Sequence, residues 1–174
     1  MKLRTINNYI LTAIILIASI NTANAFDLSG NKLTVGGTSD LLFTSDSTGY
    51  ASASGTFSAL VATIISFEPQ SDGTIFLGSQ HNFKTNDNGY INTEDKSILY
   101  PVSDKPGVYM ITTTFTILES AGSLSGYTNQ SFTGTGIINF NNNTANVRYE
   151  GTLNRINSLY KKQRMSVFKY FYNN

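Results

Sequence analysis

The stretch GVYMITTTFTIL, residues Gly107 to Leu118, decides the fold. Its odd positions are Tyr109, Ile111, Thr113, Phe115 and Ile117, and its even positions include Thr112, Thr114 and Thr116. Side chains of an extended strand point alternately to opposite faces, so this period of two predicts a strand with one buried and one wet face. The same pattern recurs on either side. Ala145, Val147, Tyr149, Gly151 and Leu153 alternate with Asn146, Arg148, Glu150 and Thr152, while Phe132, Gly134, Gly136, Ile138 and Phe140 alternate with Thr133, Thr135 and Asn139. Phe57, Ala59, Val61, Ile65 and Phe67 share the odd face of another stretch, and a further strand is expected from Thr74 to Lys84 with Ile75, Leu77, Ser79, His81 and Phe83 inward.

Turn formers separate these stretches: residues 45–49, 70–73, 86–89, 103–107 and 141–143 are rich in Asn, Asp, Ser and Gly. Such residues tolerate the left-handed backbone that hairpins demand. Gly-Thr pairs at 55–56, 73–74, 134–135 and 151–152 read as strand starts. Composition agrees with an all-β protein, because Thr, Ser, Gly, Asn, Ile, Phe and Tyr dominate beyond the N-terminus. About eight strands with short connections make an antiparallel meander, which removes its exposed edges by closing into a barrel.

Residues Gly78 to Phe83, Thr93 to Val102 and Pro106 to Tyr109 resemble a group of secreted bacterial proteins without assigned function. The likeness continues through Thr116 to Leu118, the glycine-bearing Gly122 to Gly126, and Gly134 to Gly136 and Glu150 to Leu153. Those proteins are similar to the allene oxide cyclase and dirigent type of eight-stranded barrel, and the resemblance implies that architecture here. Glu119-Ser120-Ala121-Gly122 stands where the group usually carries Gly-Gly-Thr-Gly, so a local difference in that turn is expected. No catalytic residue of a cyclase or dirigent protein carries over.

The N-terminus has the layout of a signal peptide. Lys2 and Arg4 precede an apolar run from Ile10 to Ile20, which is too short to span a bilayer, and Ala23-Asn24-Ala25 fits the small-residue cleavage pattern. Residues 1–25 are therefore expected to be a signal peptide, residues 26–155 a barrel domain in the periplasm or outside the cell, and residues 156–174 a tail. With no cysteine the fold has no disulfide and depends on its core. Lys and Arg number 12 against 11 Asp and Glu, so no net basic field for nucleic acid is expected. The charge is uneven, since Lys161, Lys162, Arg164 and Lys169 crowd a tail with no acidic residue, interleaved with Tyr160, Phe168, Tyr170, Phe171 and Tyr172. Any membrane association is expected to run through that tail.

A single histidine and no cysteine argue against a nucleophile triad and against a zinc or iron site. The hairpin segment mimics a calcium loop, with Asn86, Asn88, Gly89, Ile91 and Asp95 at the third, fifth, sixth, eighth and twelfth places. Lys84 stands where the leading carboxylate belongs, so the reading is a plain turn, with no metal and no cofactor. The one constellation of chemical interest is His81 with Asp95. A three-residue loop at 87–89 would pair Asn86 with Tyr90 and set His81 opposite Asp95 on the inner face, where the imidazole could serve as a base or orient a polar ligand. Phe83, Tyr109 and Tyr149 join His81 as candidate ligand contacts in an aromatic lumen. Three functions follow as expectations: a barrel holding a small apolar molecule, a solid barrel that meets a partner by its surface, or a small outer-membrane barrel.

Overall fold

The computed structural model describes residues 32–156. Eight antiparallel strands follow one another around a closed barrel: β1 (Lys32–Phe43), β2 (Thr48–Gly55), β3 (Ala59–Pro69), β4 (Ile75–Lys84), β5 (Tyr90–Pro101), β6 (Val108–Ala121), β7 (Ser131–Asn139) and β8 (Thr144–Asn154). One 3-10 turn, Gly122–Leu124, interrupts the β6–β7 connection. Closure comes from β1 lying against β8, in register from Lys32↔Asn154 through Leu33↔Leu153 to Leu42↔Thr144. No edge of the meander is left open to another chain, as the strand count and short turns predict. The expected signal peptide (residues 1–25) and all of the expected tail beyond Ile156 lie outside the described residues.

The expected turns fall between strands, except that Thr48 and Gly49 already belong to β2, and the residues in them explain why. Asn88, Asp104 and Asn143 adopt φ of 63°, 60° and 56°, the left-handed region that Asn and Asp tolerate best. The Gly-Thr reading holds only at Gly73-Thr74, which precedes β4. Gly55 ends β2, and the other two pairs lie within β7 and β8.

Alternation places Ile111, Thr113, Phe115 and Ile117 of β6 and Ala145, Tyr149 and Leu153 of β8 inside, as read from the sequence. β3 differs. Its inward residues are Leu60, Ala62 and Ile64, not Ala59 and Val61. A register shift at Ile65 adds one residue between Ile64↔Ser79 and Ser66↔Gly78, which turns Ile65 to solvent at 62% exposure and returns Phe67 to the inner side opposite Leu77. Phe57 is buried but precedes the strand, in the 56–58 connection, so the odd series from 57 to 67 mixed three environments. A β-bulge moves side chains across the sheet in this way because the strand period is two.

The two ends of the barrel are built differently. At one end the 56–58 and 122–130 connections fold over the opening and bury Phe57, Leu124 and Tyr127. Beneath that cap, Phe57, Phe83, Phe115, Phe132 and Tyr149 form a ring cluster, with centroids 4.7 Å apart for both Phe57–Phe83 and Phe115–Phe132. Removing one such ring costs about 3–5 kcal/mol, the range for truncating a buried aromatic. At the other end the 44–47, 70–74, 102–107 and 140–143 connections surround half-buried Phe43, Tyr109 and Phe140 and leave a mouth.

Outward positions carry Asp40, Glu94, Lys96, Arg148 and Glu150 around rows of threonine, all exposed. A transmembrane barrel shows the reverse distribution, an apolar outer band with charges confined to the lumen or the interfaces. The arrangement here weighs against the outer-membrane alternative.

Candidate functional site

His81 and Asp95 meet inside the barrel. β4 and β5 are joined by five residues, 85–89, with Lys84 pairing Tyr90, so His81 lies opposite Thr93 and Asp95 opposite Ser79. The register differs by two residues from the Asn86–Tyr90 pairing expected from sequence. A shift of two preserves the face, and the His81 ring reaches Asp95 diagonally. The Nδ1 to Oδ2 distance is 2.5 Å. Ser79 Oγ donates to the same carboxylate oxygen at 3.3 Å. The His81 side chain is 15% exposed and that of Asp95 is 0% exposed.

Neighbouring rings fix the imidazole. Phe83 stacks on it at 5.5 Å between centroids and Phe115 meets it edge-on at 5.3 Å. With Nδ1–H donated to Asp95, a neutral ring presents Nε2 as a lone-pair acceptor, the orientation in which an imidazole binds a donor or accepts a proton. The same contacts serve a purely structural pair equally well, since both partners need hydrogen bonds once buried.

The four ligand-contact candidates are not brought together around one space. Phe83 and Tyr149 belong to the packed ring cluster at 0% and 1% exposure. The Tyr149 hydroxyl donates to Ser54 O at 2.6 Å and accepts from Phe57 N–H at 3.3 Å, tying β8 to the capping connection. Burial pushes its phenol above the ordinary range, opposed by the Phe57 hydrogen bond. Tyr109 lies at the opposite end and packs edge-on against Phe140 at 5.6 Å.

That opposite end holds a cavity of about 500 Å3, lined by Phe43, Ile64, Phe67 and Phe140 below a polar rim of Thr44, Ser45, Asp46 and Asn143. Phe67 is 48% exposed there and meets Phe140 edge-on at 6.0 Å. Phe67 and Phe140 stood on the predicted inward faces, but nothing in alternation distinguishes a rim position from a core one. A larger groove, about 860 Å3, draws its lining from β3 to β7, from outward residues of these strands and from inward Leu77, Ser79, Asp95, Ser97 and Thr113. Phe76, Ile98, Lys96, Glu94, Thr112 and Thr135 face it.

The calcium-like segment is a hydrogen-bonded turn. Asp87 Oδ1 accepts from the hydroxyls of Thr85 and of Ser123, the latter at 2.7 Å, and these two bonds hold its carboxyl below the usual range. Among the described residues no three His, Cys, Asp or Glu side chains gather as metal ligands would.

Comparison with protein families, curated proteins and solved structures finds no match to this chain.

Proposed function

We propose that the chain is an exported barrel that carries a small apolar molecule in its open mouth. The carrying observation is the asymmetry of the two ends. One end is filled by packed rings and folded-over connections, while the other leaves Phe43, Ile64, Phe67 and Phe140 around a cavity of about 500 Å3. Ligand sites are concave and combine apolar walls with a few polar groups, and this mouth sets four apolar side chains beside the four polar residues of its rim. Export rests on the signal-peptide layout of residues 1–25, and the allene oxide cyclase or dirigent relationship on the quoted motifs together with the closed eight-stranded meander.

Titration of residues 26–174 with the neutral dye N-phenyl-1-naphthylamine tests the reading. Saturable one-site binding is expected, weakened roughly tenfold by Phe67→Ser, which removes about 1–3 kcal/mol of apolar contact at a position that tolerates exposure. No saturable signal, or an unchanged signal in Phe67→Ser, would sink the mouth as a ligand site. Native mass spectrometry of the same chain from a periplasmic extract would name a retained ligand.

A surface-interaction role is favoured by a different observation. Phe76↔Ile98, Tyr100↔Met110 and Met110↔Ile137 are directly paired on the outer wall, and Tyr100, Met110 and Ile137 are exposed. Contiguous exposed apolar side chains mark contact surfaces. On this reading Met110→Lys reduces concentration-dependent sedimentation while dye binding stays unchanged.

A further inference from the structure

We infer that the middle of the barrel holds one bound hydrogen-bond donor, seated against Asp95 Oδ1 between the hydroxyls of Thr93 and Thr113. Inward positions follow one plan on three strands. β5 reads Ile91, Thr93, Asp95, Ser97, Leu99 from the capped end to the mouth. β4 places Ser79 and His81 between Leu77 and Phe83, and β6 places Thr113 between Ile111 and Phe115. A polar patch therefore occupies mid-barrel, with apolar side chains toward both ends.

Hydrogen bonding within the patch is lopsided. Asp95 Oδ2 takes both His81 and Ser79, whereas Oδ1 has no partner. Thr93 Oγ1 and Thr113 Oγ1 have none either, at residues only 1% and 6% exposed. Each unpaired buried group costs about 1–3 kcal/mol, more for a carboxylate, and Thr93 and Thr113 flank Asp95 one register step to either side, so the unpaired Oδ1 between them points to a bound donor. Thr113 is not free to turn at will. A Cβ at Gly134 would lie 2.9 Å from the Thr113 methyl, so the bare backbone there accommodates that methyl and sets where the hydroxyl goes.

The chemistry asked for is a donor facing Oδ1, with two hydroxyls able to give or accept beside it. An internal water meets it, and so does the hydroxyl or amine of a small molecule. Ile75, Leu99, Ile111 and Ile138 are buried on the mouth side, so this site is separate from the mouth and does not depend on the mouth binding anything.

A crystal structure of residues 26–174 at a resolution that shows ordered water, with a native mass on the same preparation, decides the matter. Density about 2.6–3.2 Å from Oδ1 is expected. A single peak with an unmodified mass identifies water, and extended density with a mass increment identifies a small molecule. Oδ1 accepting instead from Thr93, Thr113 or another protein donor, with no further density, overturns the inference. Thr113→Val, nearly the same shape, is expected to lower the occupancy of that density while leaving the His81–Asp95 contact, and unchanged occupancy would count against it. If the variant fails to fold, the density in the unaltered chain is decisive alone.

Discussion

Tyr149 shows how much one side chain does here: its ring packs in the capped cluster while its hydroxyl bonds two backbone groups of other elements. Tyr149→Phe keeps the ring and strands Phe57 N–H, and a loss of about 1–3 kcal/mol is expected in urea unfolding. Because burial raises the folded-state pKa, the contribution of Tyr149 is complete below the unfolded value near 10 and is lost as pH rises through the higher folded value. The alkaline limb of the stability profile is therefore expected to be shallower in Tyr149→Phe. Asp87 runs the other way. Its carboxyl is held low by the Thr85 and Ser123 hydroxyls, so its contribution is present above the ordinary carboxylate range and lost as pH falls through the depressed value. Asp87→Asn is expected to flatten the acid limb below about pH 4, by a small amount because the group is solvated. His81 and Asp95 were legible as an inward pair because their face depends only on parity, which a shift of two residues leaves intact. Which hydroxyls join them depends on the register itself, and that was not legible.

Among the elements, those with unbroken alternation were readable: β6 and β8 bury the residues their pattern promised. β3 was not, because the extra residue at Ile65 reverses the face halfway and the burial of Phe57 comes from a connection, not a strand. Gly122 sits at the corner between β6 and β7. Its φ is +61°, and a Cβ there would lie 2.1 Å from Asn88 O of the neighbouring turn. Gly122→Ala is expected to cost more than about 1 kcal/mol, since a left-handed backbone and a backbone clash add together, and thermal unfolding would measure it. A variant as stable as the parent would show that this corner moves freely.

For the whole molecule, closure joins the first described strand to the last, so the pairing that completes the barrel brings together residues more than a hundred apart in sequence, such as Leu33 and Leu153. Pairings of such separation make folding slow, on the order of milliseconds to seconds. The start of β1 and the end of β8 lie side by side, because Lys32 is opposite Asn154. A circular permutant that links them with a short Gly-Ser segment and opens the 102–107 connection is expected to refold with a cooperative transition. Failure to do so would mean that closure depends on the native chain order.

The position of that seam sets a direction. Lys32 and Asn154 are at the capped rim, and Phe43 and Asn143, hydrogen-bonded to each other, are at the mouth rim. The first described strand thus starts, and the last ends, at the sealed base, across the barrel from the mouth. A label attached at Lys32 or Asn154 therefore reports on the closed floor of the barrel and leaves the mouth uncovered.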